Sequence, residues 1–437
     1  MVDNLISHPL TALRLRLGWT LADTAAVVRQ RSGLNMACRR EKVWRWEHGV
    51  TPELPAQYAL ADALGVDPDE VDAHSWPGWL LLAGPAEPVD GPWVAQTTRD
   101  VLASVAESAP VDRRGFLLLS ATGLALNWSA AEAARLPDLD GARVTGEAVD
   151  HLQARVEELW RLDDALGGDR CLEAGAADLR LVERLIRHAR YSAEVGQRLY
   201  SLAAAMARFC GWAAFDAGRE AAAQRYWHAG LRAAAAAGDV DQGVYLLSNL
   251  ALQAAYAGDG PAAVALLDVA RRHVDPAART VLAMVDCWAA RGHAAAGDAE
   301  AAVSVLNRAD DRWDRRRPED DPGWVYWMPR PSLTAEAGTA LLDIGDLGAA
   351  ERSLTAGLSG LDGDSARDRN LYLVRLAHVR LRTGRLDEAT STAREAVTAA
   401  AGVDSTRVRR QVRQLLDRLP ADEPTTAELR EYARSML

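Results

Sequence analysis

Five glycines set the pattern of this chain. Gly218, Gly258, Gly297, Gly345 and Gly384 follow one another at intervals of 40, 39, 48 and 39 residues. Five positions after each stands an alanine: Ala223, Ala263, Ala302, Ala350 and Ala389. Four further on the residue is large and apolar in four cases (Trp227, Leu267, Leu306, Leu354) and Ala393 in the fifth. Three beyond that it is small again: Gly230, Ala270, Ala309, Gly357 and Ala396. Self-similarity at a fixed period of this length marks a repeat architecture. The spacing of small and large residues fits a helix-turn-helix pair whose helices cross closely. Each pair leaves an apolar side uncovered, so pairs must stack into a superhelix. Helical patterning extends on both sides, with capping helices expected over about 144–164, 176–193, 406–419 and 425–436.

Over about 199–400 the series resembles the tetratricopeptide (TPR) repeat family, with helices longer than its usual unit of about 34 residues. That resemblance implies that the first helix of each pair lines a concave surface. The positions it picks out are Arg208 and Trp212, then Tyr245, Asn249 and Tyr256, then Trp288 and Arg291. Glu336 and Thr339 follow in the fourth pair, Arg375 and His378 in the fifth. Rings, arginines and an asparagine amide suit an extended peptide or a small amphipathic ligand, the amide pairing with peptide backbone. The same side chains could instead only finish the packing of a solenoid. The 48-residue interval contains Trp324, Tyr326 and Trp327 in a long loop, a candidate lid or dimer contact, or a segment buried beneath a neighbouring helix.

Charge divides the chain. Its formal net charge is −11, which argues against a surface that binds nucleic acid or anionic membrane throughout. Between His8 and Thr51, however, eight basic residues stand against three acids. The sole lysine, Lys42, lies there in Arg39-Arg40-Glu41-Lys42-Val43-Trp44-Arg45-Trp46-Glu47-His48-Gly49. A small basic module on an acidic body is the asymmetry expected of a phosphate-contacting patch. Four cysteines, Cys38, Cys171, Cys210 and Cys287, are far apart with no CxxC pair, so neither a disulfide framework nor a zinc site is expected. The first residues lack the basic and apolar regions of a secretory signal, and no apolar run is long enough to span a bilayer.

In the N-terminal segment Leu10, Leu13 and Leu17 recur at helical spacing. Thr20 can cap a second helix with Asp23 in its first turn. A third helix is expected over about 37–48 and a fourth over about 55–64. Leu13-Arg14, Gly18-Trp19-Thr20-Leu21, Val43-Trp44-Arg45-Trp46-Glu47-His48-Gly49, Pro52 and Tyr58-Ala59-Leu60-Ala61-Asp62-Ala63-Leu64-Gly65-Val66 together resemble the XRE, or lambda-repressor-like, helix-turn-helix family. The turn around 29–36 is longer than that family's. On the third helix Val43 should face the bundle and Glu41, Lys42 and Arg45 the opposite side. One of Trp44 and Trp46 should be core. A helix of this width fits a major groove, where arginine can contact guanine and other cations grip phosphate. Arg31, Arg39, Arg40, Glu41, Lys42, Trp44 and Arg45 are the candidate DNA-binding residues.

Between Trp76 and Pro110 the pattern fades into prolines and glycines, a linker or strapped-down arm with Trp76, Trp79 and Trp93 as docking anchors. Arg113-Arg114-Gly115-Phe116-Leu117-Leu118-Leu119 looks like a twin-arginine motif but is read as a buried helix. No GxSxG, HExxH, P-loop or GxGxxG element is present, and no enzyme is expected. The reading is an all-α chain: a helix-turn-helix domain over 1–75, a connector over 76–140 and a TPR-like solenoid over 141–437. The combined parts resemble TPR-containing XRE regulators, including the peptide-responsive RRNPP group. That implies a cytoplasmic, homodimeric transcription factor, without cofactor or metal, whose partners are double-stranded operator DNA and a peptide or small-molecule effector. The alternative is an adaptor gated by a partner protein, with weak or no DNA binding.

Overall fold

The computed structural model describes residues 10, 14, 19–31, 39–47, 50–64, 66, 68–73, 76–77, 79–80, 93–107, 144–361, 366–420 and 422–437. All regular elements among them are helices, and they fall into two compact units. The stretch read from sequence as a buried helix at 113–126 lies outside the described residues, as do Gly49 and Gly65.

The first unit contains α1 (Leu21–Arg31), α2 (Arg40–Glu47), α3 (Leu54–Leu64) and α4 (Pro68–Ala73). Thr20 and Asp23 close the start of α1 reciprocally. The Thr20 amide donates to Asp23 Oδ2 at 2.8 Å and the Asp23 amide to Thr20 Oγ1 at 3.1 Å, satisfying donors that the first helical turn leaves open. Val28, Val43, Trp46, Leu60 and Trp79 are fully buried together. Trp79 can be buried because its indole N–H donates to Gln57 Oε1 at 2.8 Å, and Gln57 in turn donates to the Pro52 carbonyl at 2.9 Å.

The second unit begins with α5 (Ala95–Glu107), inside the stretch read from sequence as connector; it packs against two helices of the repeat domain. The arginine at 232 lies over the Trp93 ring at 5.1 Å, so Trp93 is an anchor of this unit. After α5 come α6 (Gly146–Leu166) and α7 (Gly168–His188), then five helix pairs. These are α8 (Ala193–Asp216) with α9 (Glu220–Ala237), α10 (Val240–Tyr256) with α11 (Gly260–His273), and α12 (Arg279–Ala295) with α13 (Ala299–Asp314). The last two are α14 (Arg330–Ile344) with α15 (Leu347–Gly360) and α16 (Ala366–Arg382) with α17 (Leu386–Ala401); α18 (Thr406–Arg418) and α19 (Pro424–Met436) end the chain.

The five landmark glycines sit at the turns inside these pairs, with φ of 72, 83, 79, 88 and 77° in chain order. Residues with a Cβ rarely adopt that conformation, which is why glycine recurs. At the next helix start Asp259, Asp298 and Asp346 accept from the amide three residues on. The five alanines five positions after the glycines are all fully buried. The later small positions are crossing points. A Cβ on Gly357 would stand 2.7 Å from that of Ala335, and one on Gly230 would stand 3.0 Å from Leu246.

The first helices of the pairs, α8, α10, α12, α14 and α16, pack in succession; α18 packs on α16 and also on α8. The inner row therefore closes on itself as a ring of six helices, one turn of superhelix whose ends meet. Ion pairs cross the seam. Arg367 reaches Asp163 at 2.8 Å and Arg407 reaches Asp216 at 3.1 Å, both aspartates being fully buried. Nearer solvent, Arg170 pairs with Asp404 at 2.8 Å and Arg410 with Glu220 at 2.9 Å. The chain also presses against itself there, since a Cβ on Gly167 would stand 2.3 Å from the Asp404 carbonyl oxygen.

Two glycine substitutions separate seam from turn. Gly167 and Gly297 both have positive φ, but nothing lies within 4 Å of a Cβ on Gly297. Gly297→Ala is expected to lower unfolding free energy by about 1–2 kcal/mol, the backbone cost alone. Gly167→Ala is expected to cost about 1–3 kcal/mol more, because it also wedges the seam. Urea denaturation of the two variants measures the difference.

Candidate functional site

Among the described residues two cavities lie along the inner face of the ring. The larger, of about 680 Å³, is lined from α6, α8, α10, α12, α14, α16, α18 and the insertion between α13 and α14. The smaller, of about 490 Å³, is lined mainly by the far ends of α10, α12, α14, α16 and by α18. Tyr256 and Arg291 line both and form the partition between them.

The larger cavity is an aromatic chamber with cations set among the rings. Trp324 stacks on Tyr245 with centroids 4.5 Å apart, and Trp327 lies 5.8 Å from both Tyr245 and Trp288. The insertion that lengthens the fourth interval thus supplies part of the chamber wall, while its Tyr326 is largely exposed. Thr280 at the start of α12 holds this insertion, its amide donating to Asp321 at 3.0 Å. Arg208 stacks over the Tyr245 ring at 4.0 Å and the Trp160 ring at 4.8 Å. Arg407 lies over Trp212 at 5.1 Å while holding Asp216. The seam pairs that close the ring are therefore also chamber wall.

The partition is a tight polar layer. Arg375 Nη2 donates to Tyr256 Oη at 2.7 Å, Arg291 lies over the Tyr256 ring at 4.5 Å, and Tyr372 donates to Glu336 Oε1 at 3.0 Å. Burial pushes the Tyr256 phenol up, but the guanidiniums of Arg375, Arg291 and Arg407 outweigh it and bring the pKa down to about 7. At Tyr200 and Tyr226 burial outweighs the pull of nearby arginines, and both are pushed up to about 12. On the other side of the partition, burial first and then Arg418, Arg375 and Arg382 bring His378 down to about 4, so that it is neutral near pH 7.

Of the candidate ligand residues, Arg208, Trp212, Tyr245, Tyr256, Trp288, Arg291 and Glu336 converge on the chamber. Arg375, His378 and Thr339 line the smaller cavity instead. Asn249 lines neither; its amide is fully buried without a hydrogen-bond partner among the described residues. Sequence reasoning missed Trp160, Arg367, Asp368, Tyr372 and Arg407, all of which line the chamber. Three of them stand in capping or seam positions outside the counted register, and only ring closure brings them to the others.

In the first unit α2 is two-sided. Val43 and Trp46 are buried, whereas Trp44 is half exposed and Arg39, Arg40, Glu41 and Arg45 are exposed. Arg45 makes no ion pair among the described residues. Lys42 approaches Glu53 at 3.7 Å and Arg40 contacts Glu41 at 3.0 Å, both loose surface pairs that a phosphate could displace. Arg31 is turned to α3, where it pairs with Asp62 at 2.6 Å, so it is less available than the α2 cations. Arg14 and Glu47 are paired at 2.9 Å and tie the end of α2 to the bundle.

Cys171, Cys210 and Cys287 are free, buried thiols raised above the usual range by burial. Among the described residues no group of acidic, histidine or cysteine side chains could hold a metal ion, and no helix is long and apolar enough to cross a membrane.

No family model matches the chain and no curated protein matches it. Among solved structures, a chain in the crystal structure of the APC/C hetero-tetramer Cut9–Hcn1 aligns over 95% of this chain and 67% of its own length. The identity is 11% and the TM-score 0.32, a likeness too loose to add to what the helix pairing itself shows.

Tyr256 gives a direct prediction. Phenolate absorbance should rise in a single-residue step with a midpoint near pH 7, and Tyr256→Phe should abolish it. The folded pKa lies below the ordinary value of 10.0. Tyr256 should therefore add stability as pH rises from about 7 towards 10 and add none below 7. Ultraviolet difference titration, with unfolding followed across the same range, checks both.

Proposed function

We propose that the chain is a DNA-binding transcriptional regulator whose helical ring is the receptor for a small effector. The observation that carries the receptor half is the chamber: about 680 Å³, within the usual range of ligand sites, walled by rings and buried cations. The DNA half rests on α2. One face is locked into the bundle by Val43 and Trp46, and the other offers Lys42, Trp44 and Arg45 to solvent beside Arg39 and Arg40. This is how a recognition helix must be built, and it agrees with the XRE resemblance of the segment. The closed ring favours a compact effector over an extended peptide. The chamber binds its occupant and does not convert it. An effector that fits one curvature of the ring better than another shifts the balance between them, and in a cytoplasmic homodimer that would reposition two DNA modules on half-sites a helical turn or its multiple apart.

A second reading is an adaptor that binds a partner protein and little or no DNA. Its support is the stack of helix pairs itself, an architecture that leaves extended faces for partners.

Genomic fragments recovered with the purified protein test the choice. The proposal expects enriched sites, lost on Lys42→Ala/Arg45→Ala, with an affinity that falls steeply with salt. No enrichment, or equal enrichment by the double variant, contradicts it. Recovery of a bound polypeptide from native extract in place of DNA supports the adaptor.

A further inference from the structure

Among the described residues Arg208 is the one chamber cation that makes no ion pair. The residue is 5% exposed, and among the described residues its Nε has no hydrogen-bond partner. Burial lowers its pKa, opposed by Tyr245, Tyr326 and Asp239. Asp239, the only carboxylate among these, is already engaged: it caps α10 by accepting from the Gln242 amide at 3.0 Å and also accepts from Ser201. The other chamber arginines are matched. Arg367 and Arg407 face Asp163 and Asp216, and Arg291 lies 3.7 Å from Glu336 and 3.8 Å from Asp343. Leaving a guanidinium buried and unmatched is costly, and a protein retains such a group when something else completes it.

The hydrogen-bond inventory of the wall leans the same way. Among the described residues the indole N–H groups of Trp160, Trp212, Trp324 and Trp327 are buried with no acceptor, as are Nε of Arg291 and Nη2 of Arg407. Against these donors the chamber lining leaves two buried acceptors unfilled among the described residues, Glu336 Oε2 and Gln242 Oε1. A wall of unfilled donors calls for an occupant rich in acceptors. Arg208 is presented for one kind in particular. Its faces are covered by Tyr245 and Trp160, and stacking on rings leaves the in-plane N–H groups of a guanidinium free to grip a carboxylate with two bonds.

We infer that the effector is a flat aromatic monocarboxylic acid, its carboxylate seated on Arg208 and its rings stacked within the Trp and Tyr wall. This rests on the reading of the chamber as a receptor site. One unmatched cation takes one negative charge, which favours a carboxylate over a phosphate dianion. The aromatic body follows from the stacked rings of Tyr245, Trp324 and Trp327, with Trp288 tilted against Trp327.

Three probes that share a body and differ in charge test it: 1-pyrenebutyrate, 1-pyrenebutanol and 1-pyrenebutylamine, followed by their fluorescence with the full chain. The acid is expected to bind at least ten times more tightly than the alcohol, and the amine more weakly than both. In Arg208→Met, which keeps the stem and removes the charge, the acid should lose at least tenfold while the alcohol is unchanged; Arg208→Lys should recover part of the loss. The thermal midpoint of Arg208→Met should equal or exceed that of the parent, because the variant removes an unmatched buried charge. Equal binding of acid and alcohol, acid preference that survives Arg208→Met, or a variant that unfolds at lower temperature overturns the inference and leaves the receptor reading standing. Failure of all three probes to bind contradicts the receptor reading along with it.

Discussion

Everything in the larger unit depends on the buried ion cluster at the seam. Asp163 on α6 and Asp216 on α8 are fully buried, and the cations that make this tolerable, Arg367 and Arg407, come from α16 and α18 roughly two hundred residues later. Carboxylates in that setting are costly unless paired, and burial indeed raises the Asp163 pKa against the pull of Arg367. The cluster thus makes the open form of the superhelix unfavourable, since opening would strand two buried charges on one side and two arginines on the other. A stack of helix pairs would otherwise remain a groove. Closed, it is a ring with an interior, and an interior can hold a compact ligand away from water.

The same cluster connects closure to occupancy. Arg407 lies against Trp212 in the chamber wall and also lowers the Tyr256 phenol in the partition. Tyr256 in turn separates the aromatic chamber from the smaller cavity that contains Arg375 and His378. An occupant that shifts any of these arginines acts on the seam, the partition and the charge state of Tyr256 together. Packed interfaces of this kind respond by changing between discrete arrangements, which is how a local contact becomes a change in curvature.

Much of this was legible in the sequence. The glycine and alanine series located all five helix pairs, because it records two local demands, a left-handed turn and a close crossing, that depend on residues near in the chain. The capping helices expected at 406–419 and 425–436 formed within a residue of those bounds. The inward positions from Arg208 to Glu336, Asn249 excepted, reached the chamber because helical register is periodic. Closure was not legible. Asp163, Asp216, Arg367 and Arg407 look like ordinary surface charges in sequence, and nothing local says that α18 returns to α8. For the same reason a concave groove for a peptide or a small amphipathic ligand was expected where a chamber is found, and α5 was read as connector because its packing partners, α7 and α9, begin more than 60 residues further along the chain.

The most direct test of the chamber as a receptor is native mass spectrometry of the chain purified from its own cells, beside Ala205→Phe, which fills the chamber from a buried wall position. The account predicts a small-molecule adduct on the parent chain that is missing from the filled variant. A parent chain that carries no adduct, or an adduct equally abundant on Ala205→Phe, would contradict it.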